Sequence, residues 1–299
     1  MFRRHSILVL ALVLGTVLAG CASNEPFSSG PAPAQAIVVG SQDYYSNEII
    51  AEIYSQALEN QGYEVDRQFR IGQREIYLPE IEAGGIDLFP EYSGPLLQYW
   101  EPDTTARLGD DVYAELQKVT PAGLHVLEQA PATDQDSYVV TKQFADQWGL
   151  TTIADLSRVT VPLTMGANSE AQTRPNGPQG LLSTYGVQAS FTPIEDGGGP
   201  LTVKALQDDE IQIAIIYTAD PSIAANDLVS LEDTKGLFLS SHVVPLASDR
   251  IDDQAASTIN LVSEALSAED LIALNASSVT DQLPASTIAR DWLAQKGLF

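Results

Sequence analysis

The chain has 299 residues with 15 basic and 40 acidic side chains, a formal charge of −25, one cysteine and 7% aromatics. That charge disfavours nucleic acid and anionic lipid as partners and mildly favours cationic ligands, with solubility outside the cell as the plainer account of it. A single cysteine excludes an internal disulfide and a cysteine metal cluster.

Residues 1–20 open with Arg3 and Arg4, continue with an apolar run from Ile7 to Ala19, and lead into Leu18-Ala19-Gly20-Cys21. A basic start, an apolar segment too short for a transmembrane helix and small residues before a cleavage point predict a signal peptide. The Leu-Ala-Gly-Cys step resembles the bacterial lipobox, which implies a diacylated Cys21 at the new N-terminus; the alternative is an ordinary secretory signal with an incidental cysteine. Cleavage there removes Arg3 and Arg4 and no acid, so the formal charge moves from −25 to −27. Residues 21–36, rich in Ser, Pro, Ala and Gly, read as the lipidated end and a flexible tether. Beyond Val38 no apolar run approaches membrane-spanning length.

The folded part begins with a β-branched strand, AIVVGSQ, ending at Gly40. Ser46 is placed to cap a helix whose apolar residues Ile49, Ile50, Ile53, Tyr54, Ala57 and Leu58 form one stripe, closed by Gly62. YEVDRQFRI reads as a second strand, REIYLPEIEAG as a short helix, and GIDLFPEY begins with a third strand. Alternating strands and helices predict a parallel α/β sheet.

The stretch DLFPEYSGPLLQYW gathers Phe89, Tyr92, Tyr99 and Trp100 around Glu91 and the turn-formers Pro90 and Gly94. Tyr92 reads as a ligand wall, and the other three rings as core or interlobe packing. Glu91 reads as a carboxylate bracing the turn through backbone N–H groups, with direct ligand contact as the alternative.

The pattern then repeats. VPLTMGANSE is a strand running into Gly166, GLLSTYG a helix end at Gly186, VQASFTPI a strand, LTVKALQDDE a short helix and IQIAIIYTAD a strand running into a loop. The separations Gly62–Asp87 and Gly186–Gln212 differ by one residue, and Tyr92 and Tyr217 each lie five residues further on. Two similar lobes would face each other across a cleft, with a tyrosine on each wall, because open α/β sheets bind ligands beyond the carboxyl ends of their strands. The first loops, at Gln42 and Asn168, would face the same cleft.

Enzymatic chemistry is not indicated. Outside the signal peptide only His125 and His242 remain, and no HExxH, GxSxG or GxxxxGK[ST] motif appears. Asp196-Gly197-Gly198-Gly199 lacks the following Lys-Ser/Thr of a phosphate loop and reads as a turn before a helix. Asp208-Asp209-Glu210 reads as a solvated helix end rather than a cation site.

From about Ile37 to Phe299 the chain resembles the glycine betaine/choline-binding proteins of bacterial ABC importers, the quaternary-amine compatible-solute group. The resemblance rests on VVGSQDYYSNEIIAEIYSQALENQGYEV, REIYLPEIEAGGIDLFPEYSG, TRPNGPQGL with the following YG, and IIYTAD. It implies a two-lobed periplasmic-binding-protein (type II) fold, each lobe a mixed, mainly parallel sheet flanked by helices, with the ligand cleft between them. The chain would cross between lobes near Thr133–Tyr138 and Gly236–His242, giving lobe 1 as residues 37–135 plus 241–299 and lobe 2 as 136–240.

The resemblance also implies an aromatic cage for a trimethylammonium head. A quaternary ammonium has no N–H to donate, so ring faces capture it through their negative quadrupole potential, about 1–2 kcal/mol per desolvated face. Tyr92, Tyr138 and Tyr217 fall on cage positions, and His242 stands where a fourth tyrosine is usual. In the carboxylate-binding half Gln42 replaces a lysine, Pro95 replaces a threonine and Arg174 matches the family arginine. With no second cation expected there, short carboxylated ligands should be disfavoured relative to choline-like ones.

The expectation is therefore a non-catalytic, monomeric, lipid-anchored binding component on the extracytoplasmic face, without cofactor or metal. It would deliver a choline-, glycine betaine- or carnitine-like solute to a membrane permease and its ATPase. The alternatives are another ligand on the same scaffold, such as ergothioneine, a phenolic or a neutral polar molecule, or a sensor without a transport role.

Overall fold

The computed structural model describes residues 36–299; the expected signal peptide, most of the expected tether and Cys21 lie outside the described residues. Ten strands form two five-stranded sheets. The first sheet takes β1 (Ile37–Gly40), β2 (Val65–Gln68), β3 (Leu88–Tyr92) and β4 (Leu124–Val126). The chain then builds the second from β5 (Asp136–Thr141), β6 (Thr164–Ala167), β7 (Ser190–Pro193), β8 (Ile213–Tyr217) and β9 (Leu228–Ser230), and returns to the first with β10 (Val243–Ser248).

The strand orders are β2-β1-β3-β10-β4 and β7-β6-β8-β5-β9. In each, three parallel strands meet a fourth that runs antiparallel and arrives from the other lobe. The two orders superpose strand for strand, so the repeat visible in the sequence is a repeat of topology. Tyr92 and Tyr217 end equivalent strands. Their cross-strand partners are Val243 and Asp136, the first residues of the two antiparallel strands.

Helices cover both sheets. Lobe 1 carries α1 (Tyr45–Asn60), α2 (Arg74–Glu82), α3 (Ser93–Trp100) and α4 (Gly109–Val119). Lobe 2 carries α5 (Lys142–Trp148), α6 (Pro178–Tyr185), α7 (Pro200–Gln207) and α8 (Ser222–Ala225). The C-terminal α9 (Asp253–Ala265), α10 (Ala268–Val279) and α11 (Ala285–Lys296) pack around α1, which is buried along nearly all of its apolar stripe. Each sheet separates two apolar cores. In lobe 1, Ile50, Tyr54 and Trp292 lie in one core and Phe89, Leu97 and Leu116 in the other. In lobe 2, Tyr138, Met165 and Leu181 oppose Val139, Val203 and Ile216. Among the described residues no helix is long and apolar enough to cross a membrane.

Three local expectations need correction. Helix α1 starts at Tyr45, with Tyr44 as an N-cap that makes no side-chain bond, so Ser46 is a buried first-turn residue and not the cap. The segment after Tyr92 is no open turn: Gly94 and Pro95 lie in the first turn of α3, where proline's missing N–H costs nothing. Glycine is required at 94 for space, since a Cβ there would lie 2.8 Å from the Ser240 carbonyl. Finally, Phe89 is core and stacks on Tyr77 at 4.1 Å, but Tyr99 is 39% exposed and belongs to no core.

Candidate functional site

At the tip of β3 the carboxylate of Glu91 is buried and accepts four hydrogen bonds. Arg74 donates to it twice, at 2.9 and 3.0 Å, the Tyr77 hydroxyl once at 2.6 Å, and the Tyr92 backbone N–H once at 2.7 Å. Glu91 is thus structural, as one of its two sequence readings held, though its main partner is a guanidinium and not a turn. A bidentate carboxylate–guanidinium pair fixes orientation as well as distance. It joins α2 to β3 and sets the backbone from which Tyr92 projects.

Tyr92 and Tyr217 come together across the two lobes, ring centroids 6.4 Å apart and 19° from parallel. A third ring absent from the sequence reading, Tyr44, lies 4.6 Å from Tyr217 at 37°, and Tyr45 packs edge-on against Tyr44 at 4.8 Å. The Tyr45 hydroxyl donates to Asp220 across the lobes at 2.8 Å. Burial pushes all four phenols well up from their usual pKa, so they are neutral.

Beside Tyr217 is a polar wall. Gln42 is buried, its amide N–H donates to Gln73 at 3.2 Å, and its side chain also bears on Tyr217. Arg174 crosses the lobes to Glu75 as a bidentate pair, at 3.1 and 2.9 Å. Burial works to raise the Glu75 pKa, but the Arg174 contacts outweigh it and hold the carboxyl below its usual range. Asp136 accepts from Asn176 at 2.8 Å; its pKa is raised by burial, against the pull of Arg174 and Arg74. Arg74 is therefore the second cation that the sequence reading did not expect here, although Glu91 already holds it. The space left among Gln73, Asp136, Asn168, Arg174 and Tyr217 is about 30 Å³, room for about one water, so a solute enters only if the lobes part.

Two of the expected cage residues are not brought to this cluster. Tyr138 shares a strand face with Asp136 but lies two residues further along β5, in the core of lobe 2 and edge-on to Phe238 at 5.0 Å, while Asp136 stands opposite Tyr217. The Tyr138 hydroxyl donates to the Asn176 carbonyl at 2.8 Å and so steadies the loop that carries Arg174. His242 sits in a crossing segment, bridged to Thr133, and its Nδ1–H donates to the Ala130 carbonyl at 2.8 Å. The imidazole packs against Gly109 at the start of α4, so His242 braces lobe 1.

Asp134, in the other crossing segment, is buried among the tyrosines. One carboxylate oxygen accepts from the Ala219 N–H at 2.9 Å and the other has no partner, while the Tyr92 hydroxyl lies beside Asn47 and Ser46 and the Tyr44 hydroxyl beside Tyr45. Burial raises the Asp134 pKa to about 8, the Ala219 N–H pulls it down, and Asp220 and Asp136 push it further up. Among the described residues no group of three or more His, Cys, Asp or Glu is arranged to hold a metal.

Residues 35–295 match the family described as the substrate binding domain of ABC-type glycine betaine transport systems. The chain is 27% identical over 279 residues to the glycine betaine-binding protein YehZ of Escherichia coli (strain K12), covering 88% of this chain and 92% of that one. It is 22% identical over 285 residues to the carnitine transport binding protein OpuCC of Listeria monocytogenes, covering 90% of each. The crystal structure of a glycine betaine/carnitine/choline ABC transporter protein superposes with a TM-score of 0.70 at 19% identity, over 88% of this chain and 99% of that one.

Removing one partner of a buried ion pair leaves an uncompensated charge, at a cost of about 3–5 kcal/mol. Arg74→Met should therefore destabilise the protein by about that amount in urea unfolding. The double variant Arg74→Met/Glu91→Gln, with neither member of the pair charged, should recover part of the loss; full additivity would deny the coupling.

Proposed function

Because the chain belongs to the substrate-binding family of ABC-type glycine betaine transport systems, we propose that its interlobe cleft captures a small organic ammonium solute between Tyr92 and Tyr217. The observation that carries this reading is the pairing of two neutral tyrosine faces from equivalent strand ends of two lobes. Ring faces are the means by which a protein holds an ammonium carbon surface it cannot hydrogen-bond. Tyr44 lies where a third wall is needed, and its ring must shift as the lobes separate. Gln42 and Arg174 serve the other end of the ligand. Tyr138 supports them from behind and His242 braces the crossing.

Substrate-binding proteins of ABC importers are extracytoplasmic, and the family works with an ABC permease. For this chain we further infer a monomer without catalytic activity, with lobe 1 formed by residues 37–135 and 241–299 and lobe 2 by 136–240. Lipidation at Cys21 would hold it at the membrane, a reading supported by the Leu-Ala-Gly-Cys sequence. Arg174 has a dual duty in this scheme. Glu75 occupies its fork, so a ligand carboxylate must compete with an existing partner.

Tyr92→Ala and Tyr217→Ala should each weaken ammonium binding by about 1–2 kcal/mol, roughly tenfold, in titration calorimetry. Unchanged affinity in both would remove the aromatic site. Glu75→Gln should strengthen glycine betaine binding and leave choline unaffected, since only the former carries a carboxylate for the freed Arg174; equal effects on both would show that Arg174 serves closure alone. Cys21→Ser should abolish incorporation of labelled fatty acid, and retained label would refute the anchor.

A further inference from the structure

In a chain this acidic, cations rarely lack an acid. Of the 15 lysines and arginines, Arg3 and Arg4 lie outside the described residues, and eleven of the remaining 13 stand within ion-pair distance of a carboxylate. The two that do not are Arg107 and Lys235, and both line one groove of about 410 Å³ to which both lobes contribute. Arg174 lines it too, with its fork held by Glu75. Gln98, Gln179 and Ser183 add amides and a hydroxyl, and among the described residues no Asp or Glu lines the groove.

Backbone carbonyls hold these two cations in place. Arg107 Nη1 donates to the Thr104 and Ala106 carbonyls at 2.9 and 2.7 Å. Lys235 Nζ donates to the Thr184 carbonyl, near the end of α6, at 2.9 Å and lies 4.8 Å from the centre of the Tyr185 ring. The neighbouring acid, Asp233, is turned instead to the Tyr185 hydroxyl and to the Lys235 and Phe238 N–H groups. The Arg107 stem reaches lobe 2: a Cβ on Gly236, next to Lys235, would lie 2.9 Å from its Cδ. Both side chains are exposed, and carbonyl partners orient them without neutralising them. One unpaired surface cation is ordinarily just solvated. Here two, one from each lobe, meet in an acid-free groove, and their fields add.

We propose that this groove binds a small soluble oxyanion with two or more negative charges, a polycarboxylate or a phosphate, between Arg107 of lobe 1 and Lys235 of lobe 2. A guanidinium takes a carboxylate or phosphate edge through two donors, and an ammonium adds a point charge with rotatable donors. Gln98, Gln179 and Ser183 supply neutral donors beside them. The net charge of −25 opposes an extended acidic partner more than a compact anion that stays within the local positive field. Because the two cations belong to different lobes, a bound anion stabilises the folded arrangement in which the lobes meet.

Titration calorimetry with citrate at pH 7 and low ionic strength, with no ammonium solute present, tests this independently of the cleft reading. Wild type should bind one citrate per chain, inorganic phosphate should compete for the same site, and chloride at equal ionic strength should give no saturable heat. Citrate should also raise the thermal unfolding midpoint. Arg107→Gln and Lys235→Gln should each weaken citrate binding about tenfold, while Arg107→Lys and Lys235→Arg, which keep the charge, should retain most of it. No saturable citrate binding to wild type overturns the proposal, as does an affinity unchanged in both glutamine variants or lost equally in the charge-keeping ones. A glutamate-rich peptide that binds where citrate does not would mark a protein-docking surface and equally overturn the small-anion site.

Discussion

The geometry of the cleft depends on one buried charge pair. Glu91 sits one residue before the tyrosine that forms the lobe 1 wall, and its two oxygens are fully engaged by Arg74, Tyr77 and the Tyr92 N–H. Desolvating a carboxylate and a guanidinium is expensive, and such a pair persists only when every lone pair is used. Here the expense produces orientation: α2 cannot slide along β3, and Tyr92 cannot turn away from the partner lobe. Because α2 also carries Glu75, the same pair positions the acid that reaches Arg174 across the cleft.

The second constraint is the duplicated sheet. Each antiparallel strand enters its sheet directly from a crossing, and the crossings are hydrogen-bonded to each other: Thr133 bridges His242, the Asp134 N–H donates to Ser241, and the Val243 N–H donates to Ala132. The two crossings therefore form a short two-stranded ribbon, and the strands that leave it run beside those ending in Tyr92 and Tyr217. In the proposed role, any motion of the lobes would pass through the same stretch of backbone that borders the cleft.

How much of this was legible beforehand differed by residue. The repeat, the two sheets and the facing pair Tyr92 and Tyr217 were readable because strand-ending positions follow from period-two and glycine punctuation. Tyr138 shares its strand face with Asp136, and only the fold decides which of the two meets Tyr217 and which enters the core. Arg74 carried no visible mark, because a charged residue at the start of a helix is ordinarily a solvated one, and only the fold brings it to Glu91. Asp134 and Tyr44 were equally silent. Each makes its contact with the other lobe, and contacts as distant in sequence as Asp134 with Ala219 or Tyr44 with Tyr217 leave no local pattern. Ser46 misled for the opposite reason: a strong local propensity for capping lost to the packing of Tyr44 and Tyr45.

The topological symmetry of the two lobes is not a chemical symmetry. Beside Tyr92 the equivalent cross-strand position is Val243; beside Tyr217 it is Asp136, with Arg174 next to it. The strand end at Tyr92 therefore meets an apolar neighbour, while the strand end at Tyr217 meets a carboxylate in the field of Arg174. A guest with unlike ends would meet unlike strand ends there, so a frame duplicated in its strands can still tell one end of a molecule from the other.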